Sequence, residues 1–295
     1  MELRVLQYFL AVAREGNVTR AARMLHVSQP AVSRQLMQLE AELGVKLFDR
    51  ASHSVTLTQE GVLLKRRAEE MMELAEKMRR DFEGVRDDVA GEVAIGSGEL
   101  RAASSLARAL VAFQKEHPLV RYRLYSANAD SIKQKIEHGT LDMGLLPMPA
   151  QIDRYEFLRF PCLEEWGVLI RKDSPLACKS AVTADDLMTV PIMMSSRETV
   201  QNELASWFGG RFDRVRVVGT YNLPYNAAMM VREGMGAALC IRLDCHYPDL
   251  RFVALTPPLA LGSALVWKKS QVHTPVVSAL IDFLRTFVAG ENGIV

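Results

Sequence analysis

Apolar residues recur at helical spacing three times within the first 45 positions. Leu6, Phe9, Leu10 and Ala13 make one stripe, Val18, Ala21, Ala22 and Leu25 a second, and Val32, Leu36, Leu39 and Leu43 a third. His26-Val27-Ser28 separates the second from the third. Ser28 is suited to cap the third helix, and Pro30 is tolerated in its first turn. Two alanines on the second stripe let the next helix cross closely, which is a helix-turn-helix pattern. Leu47-Phe48-Asp49-Arg50 and Val55-Thr56-Leu57-Thr58 then flank the polar stretch Ala51-Ser52-His53-Ser54, and this predicts a two-stranded wing.

From residue 59 to 89 the pattern is that of one long helix, about 46 Å at 1.5 Å per residue. Pro is absent and strong helix formers dominate. Leu57, Gly61, Leu64, Ala68, Met71, Ala75, Met78, Phe82, Val85 and Val89 step alternately by four and three, a heptad seam broken only by Gly61. Thr58 suits the cap. The seam needs a partner, in its own domain or in a second copy. Charged outer faces favour the second copy.

After Gly91 strand-like and helix-like runs alternate. Strands are predicted at Glu92–Gly96, Val120–Ser126, Asp142–Leu146, Trp166–Arg171, Pro191–Met194, Arg214–Gly219, Gly236–Ile241 and Ala264–Lys268. Helices are predicted at Arg101–Glu116, Ser131–His138, from Thr183 with Asp186 three residues on, Glu198–Phe208, Asn226–Glu233 and Thr274–Val288. The alternation predicts βαβ units and a mostly parallel sheet, in one domain or two lobes.

Composition narrows the classes. The chain has 295 residues, 49% of them hydrophobic and 24% charged, so the expectation is about two globular domains. No run of about 18 apolar residues offers a membrane span. The start Met1-Glu2-Leu3-Arg4 lacks the basic and apolar regions of a secretory signal, so a cytosolic location is expected. Net charge is only +1, so any DNA contact must come from a local patch. One exists. Gly16 to Leu39 holds Arg20, Arg23 and Arg34 and no acid. The third helix presents Gln29, Ser33, Arg34 and Gln38 on its outer face, groups able to exchange hydrogen bonds with base edges in a major groove. Ala31 is small enough to approach a thymine methyl group. A solvated helix face would also be polar, but it would usually mix its signs.

The run from Phe9 to Gly61 contains Ala21-Ala22, Leu25, Ser28-Gln29-Pro30-Ala31-Val32-Ser33, Leu39-Glu40, Leu43-Gly44, Leu47-Phe48, Arg50 and Leu57-Thr58. It resembles the N-terminal signature of the LysR-type transcriptional regulators. Gly234-Met235-Gly236 before an apolar strand also resembles that family. The resemblance implies an α/β chain in three parts. Residues 1–58 would be a winged helix-turn-helix and 59–89 a dimerising linker helix with Leu64, Ala68, Met71, Ala75, Met78 and Phe82 on its seam. Residues 90–295 would be a doubly wound, two-lobed effector domain resembling type 2 periplasmic binding proteins. Lobe I would take about 90–161 and 267–295, and lobe II about 162–266. It further implies a non-enzymatic regulator of a double-stranded DNA operator, homodimeric or homotetrameric, modulated by a small molecule. RNA polymerase is left open as a further partner. By the same resemblance Gln29, Pro30, Ala31, Ser33 and Arg34 read and position the DNA, and Arg50 contacts phosphate. His53 can also reach phosphate. Many relatives carry a more basic wing, whereas Ala51 to Leu64 holds only His53.

The effector site is expected where strands deliver the chain to helix N-termini. The candidates are Ser97, Gly98 and Glu99, then Asn128, then Ser195, Ser196 and Arg197, then Asn222 with Tyr221 and Tyr225 nearby. Hydroxyls and free N–H groups there suit a carboxylate. Glu99 would repel a simple anion, and could instead pair with Arg101 or Arg197 or meet an amine. Met148, Met193 and Leu223 are candidates for apolar surface. The serines could equally be plain helix caps.

Cys162, Cys178, Cys240 and Cys245 have no C-x-x-C spacing, and Cys240, Cys245 and His246 are only a weak zinc hint. A thiol-based redox sensor of the same architecture is the alternative reading. No G-x-S-x-G, Walker loop or G-x-G-x-x-G after a strand indicates an enzyme or a cofactor.

Overall fold

A computed structural model describes residues 1–50, 55–82 and 89–292, with only the backbone of Arg50, Glu291 and Asn292. The chain divides into two compact units, residues 1–82 and 83–295.

The first unit runs α1 (Leu3–Glu15), α2 (Val18–Met24), α3 (Gln29–Leu43), β1 (Phe48–Arg50), β2 (Val55–Leu57) and α4 (Gln59–Phe82). The three stripes read from the sequence enter one core with Phe9, Val12, Ala21, Ala22, Val32, Leu36, Leu39 and Leu47, except for Leu43 at the end of the third, which is exposed. The Phe9 and Phe48 rings lie 5.2 Å apart between centroids. Asn17 caps α2, its Oδ1 accepting the Arg20 N–H at 3.0 Å. Ser28 does stand at the start of α3, but its hydroxyl makes no capping bond. The wing strands pair antiparallel, Phe48 opposite Leu57, and Val55 N–H donates to the Gly16 carbonyl at 3.0 Å.

Thr58 opens α4. Its Oγ1 accepts the Gly61 N–H at 3.0 Å and donates to the Lys46 carbonyl at 2.7 Å. The glycine that breaks the heptad seam has a packing reason. A Cβ at position 61 would stand 2.1 Å from the Leu47 carbonyl oxygen, so only Gly lets the helix back against the chain entering the wing. Ala68 is fully buried and Leu64 partly buried against the same core. Further along the seam Met71, Met78 and Phe82 are 42%, 57% and 75% exposed, and Leu74 beside them is exposed as well. Ala75 is half-buried. Val85 lies outside the described residues, and Val89, the last position of the predicted seam, is not helical but packs against the core of the second unit.

The second unit runs β3 (Gly91–Ser97), α5 (Ala102–Glu116), β4 (Val120–Ser126), α6 (Ala129–Glu137), β5 (Met143–Pro147), β6 (Tyr155–Arg171), β7 (Ala181–Val182), α7 (Ala184–Leu187), β8 (Ile192–Ser195), α8 (Glu198–Phe208), β9 (Val217–Tyr221), α9 (Pro224–Arg232), β10 (Ala237–Ile241), β11 (Leu250–Leu255), β12 (Ala260–Lys268) and α10 (Pro275–Asn292). The strands lie in the order β4-β3-β5-β12-β6-β10-β8-β9, with β11 also on β6 and β7 on β11. β6 belongs to two sheets. Tyr155 to Phe160 pair with β12, whereas Trp166 to Leu169 pair with β10 and Gly167 to Arg171 with β11. Two lobes thus meet along one strand.

The sheet is mixed, not mostly parallel. β6 and β12 run antiparallel to every strand they pair with, because they carry the chain across between the lobes. The sequence pattern showed β6 only from Trp166 and missed β11. Charged residues such as Glu156, Arg159, Glu164 and Glu165 interrupt the apolar run of β6. The Thr183–Asp186 capping box does form. Gly236 is placed for close approach, since a Cβ there would stand 2.2 Å from the Pro191 carbonyl, which instead accepts the Ala237 N–H at 2.9 Å. Among the described residues no helix is long and apolar enough to cross a membrane.

Candidate nucleic-acid interface and ligand cleft

Helix α3 turns Val32, Leu36 and Leu39 inward and so leaves its other face open. Gln29, Pro30, Arg34, Met37 and Gln38 are exposed, and Ala31 and Ser33 half-exposed. Gln29 Nε2 donates to Ser33 Oγ at 2.8 Å, which aligns two polar groups one turn apart. Arg34 has no ion-pair partner among the described residues, and the first turn carries no acid. Arg50 has only its backbone described, in β1, and His53 lies outside the described residues.

A group the sequence reading passed over fixes the wing behind this helix. Glu40 on α3 is buried and accepts the N–H groups of Leu47 at 2.8 Å and Phe48 at 3.3 Å, with Lys46 Nζ at 3.3 Å. Burial alone would raise its pKa. The Leu47 and Phe48 N–H groups and then Lys46 outweigh burial and hold the carboxyl below its usual range.

In the second unit a small cleft, partly open to solvent, lies between the lobes. Gly98, Glu99 and Asn128 line it from the first lobe, and Ser195, Arg197 and Asn222 from the second. Met148 and Leu223 add apolar wall, as does Trp166 of β6. Six of the eight expected residues therefore converge. Ser97 and Ser196 do not line this cleft. Ser97 Oγ donates to the Gly98 carbonyl at 2.7 Å and its side faces a neighbouring groove. Ser196 is exposed, its N–H held by the Tyr221 carbonyl at 2.8 Å. Met193 belongs to the core behind β8. Asn128 is a helix cap, Oδ1 accepting the Ser131 N–H at 3.0 Å.

Two contacts cross the cleft, each with its donor on the second lobe and its acceptor on the first. Arg197 Nε, from the second lobe, donates to Asp130 Oδ2 of α6 at 3.2 Å. Glu99, from the first lobe, accepts the Tyr225 N–H at the start of α9. Burial opposes ionisation of Asp130, but Arg197 and then Lys133 hold its carboxyl below the usual range. For Glu99 burial dominates and raises the pKa against the Tyr225 N–H. Each group keeps unused capacity. Arg197 is 6% exposed, and its Nη1 and Nη2 are buried without partners, as are Glu99 Oε2 and Trp166 Nε1. Glu164, wholly buried on β6, spends both oxygens on the start of α5, accepting Arg101 N–H at 2.9 Å and Ala102 N–H at 3.1 Å. Neither Trp166 nor Glu164 carries a signal in the sequence beyond a polar group within a strand.

Cys178 and Cys245 are exposed, Cys162 is half-buried and Cys240 is buried. Burial pushes Cys240 up to about 12, which keeps it protonated and unreactive. Among the described residues no three His, Cys, Asp or Glu side chains are placed to hold a metal.

Family comparisons agree with both parts of this geometry. Residues 3–62 match the model of bacterial regulatory helix-turn-helix proteins of the lysR family, and residues 86–289 match that of the LysR substrate binding domain. The chain belongs to the LysR family of transcriptional regulators. Among curated relatives this LysR-family chain is similar to the HTH-type transcriptional activator IlvY of Salmonella typhimurium. The two are 30% identical over 96% of this chain and 99% of the relative. It is likewise 30% identical to the RuBisCO operon transcriptional regulator of Allochromatium vinosum, over 98% and 97% of the two chains. The crystal structure of CbnR, a LysR family transcriptional regulator, shares the fold with a TM-score of 0.78. That comparison covers 98% of this chain and 99% of the other, at 23% identity. The chain is therefore a DNA-binding regulator of transcription with an effector-binding domain.

Proposed function

We propose that this regulator reads its operator with the outer face of α3 and is modulated by a small carboxylate-bearing metabolite held between the two lobes. Gln29, Pro30, Ala31, Ser33 and Arg34 face the major groove, and Arg50 and His53 reach phosphate. Residues 1–58 bind DNA, 59–89 link and pair two copies, and 90–295 bind the effector. The exposed half of the seam, Met71 to Phe82, is what a second copy covers, in a homodimer or a tetramer of such pairs acting in the cytosol. RNA polymerase at the regulated promoter is the further partner this role calls for. The observation that carries the effector half is Arg197, buried in the cleft with both terminal nitrogens unpaired. A planar fork of donors matches a carboxylate.

The DNA half is tested by a gel-shift titration of Arg34→Ala and Ser33→Ala at fixed salt. Each should lose about 1–3 kcal/mol of operator affinity, the worth of a good base contact, while the thermal melt stays unchanged. Undiminished affinity in both variants refutes the reading face.

A further inference from the structure

The cleft presents opposite unsatisfied charges on its two sides. Arg197, from the second lobe, has one nitrogen on Asp130 and two buried nitrogens without partners. Glu99, from the first lobe, has one contact to the Tyr225 N–H and a buried Oε2 without a partner. Trp166 adds a third unmet group, an indole N–H that can only donate. Buried polar groups are normally paired, so three unpaired ones lining one cleft describe what should fill it. The Arg197 fork and the Trp166 N–H ask for acceptors. Glu99 asks for a donor, and an ionised carboxylate prefers a cationic one.

A simple anion meets Arg197 but faces repulsion from Glu99. A simple cation meets the reverse. Only a ligand with both charges satisfies both ends. The wall between them is apolar, formed by Leu100, Met148, Val200, Leu223 and Ile241. Resting on the effector-cleft reading above, we infer that the ligand is a compact zwitterion of the aliphatic α-amino acid class. Its carboxylate sits on Arg197 and the Trp166 N–H, its ammonium on Glu99, and its side chain against Leu100, Met148 and Ile241. Because Arg197 already donates across the cleft to Asp130 and Glu99 already meets the Tyr225 N–H from the other lobe, a ligand held by both residues reinforces both cross-lobe contacts at once. It therefore stabilises the lobe arrangement seen here more than an open one.

The test is isothermal titration calorimetry of the full chain at neutral pH and fixed salt. Three probes share one carbon skeleton: L-leucine, 4-methylpentanoate, which lacks the amine, and 3-methylbutylamine, which lacks the carboxylate. The expected result is that leucine binds and that each single-charge analogue binds at least about tenfold more weakly, since each leaves one buried charge unpaired. Glu99→Gln should weaken leucine and strengthen 4-methylpentanoate. The gain for one probe rules out misfolding as the cause. Arg197→Lys should weaken leucine and 4-methylpentanoate alike. If either single-charge analogue matches leucine, or none of the three probes binds, the zwitterion is overturned. Should 4-methylpentanoate match leucine and lose affinity in Arg197→Lys, the cleft still stands as an anion site. Leucine binding that is indifferent to both variants overturns the cleft itself.

Discussion

Glu40 shows what one side chain contributes to the DNA-binding unit. Its two backbone acceptor bonds and its Lys46 contact tie the end of α3 to the first residues of the wing. The folded pKa lies below the usual 4.5, so the stabilisation is present above that value and is lost as pH falls through the folded value. Glu40→Gln should therefore destabilise the unit by about 1.5–3 kcal/mol at neutral pH, because the amide turns a donor toward a donor. Thermal melts taken from pH 7 downward should show the gap closing on acidification. A gap that is constant with pH would mean that the charge contributes nothing. At this scale the sequence was only partly legible. Gln29, Ser33 and Arg34 could be placed because an acid-free helical face is a one-dimensional pattern. Trp166 could not, since its partners and its unmet N–H depend on two lobes meeting. Ser97 and Ser196 were misplaced for a related reason. Each lies beside a cleft residue, but the side chain turns away from the space its neighbour enters.

The α4 helix divides its seam between two tasks. Gly61, Leu64 and Ala68 serve the unit's own core, and Met71, Met78 and Phe82 stay uncovered. Four apolar side chains so exposed on one helix, Leu74 included, are costly in a monomer. Replacing Met71 and Met78 together by Glu should weaken pairing of residues 1–90 by at least about 2 kcal/mol, because charge would enter an apolar seam. Sedimentation equilibrium measures this, and a wild-type fragment that is already monomeric would refute the seam. Gly61→Ala acts at the other end of the helix. With backbone 2.1 Å from the new methyl group, the wing or the helix must shift, and a loss of about 1–3 kcal/mol in melting is expected. The heptad rhythm was legible because it is local. How much of it the protein uses for itself was not, since that depends on α1 and the wing packing against it. Strand β6 was half hidden for the same kind of reason, its charged positions being accommodated only once β12 and the lobe crossing are in place.

At the scale of the whole molecule there are two compact units with separate cores. Calorimetric unfolding should show two transitions. Glu40→Gln should lower only the one belonging to residues 1–82. A saturating cleft ligand should raise only the other, by about 2.7 kcal/mol at a hundredfold excess over Kd. A single transition moved by both perturbations would show the units to be energetically fused. Within the second unit the seventeen-residue β6 has a mechanical consequence. A continuous strand resists stretching, and β12 crosses beside it in antiparallel register, so the lobes cannot slide apart along them and the paired crossing segments act as an axle. The soft coordinate left to the lobes is torsion about that axle. The effector's message then leaves the domain as an angle, set by which cross-lobe bonds are made on either side of the shaft.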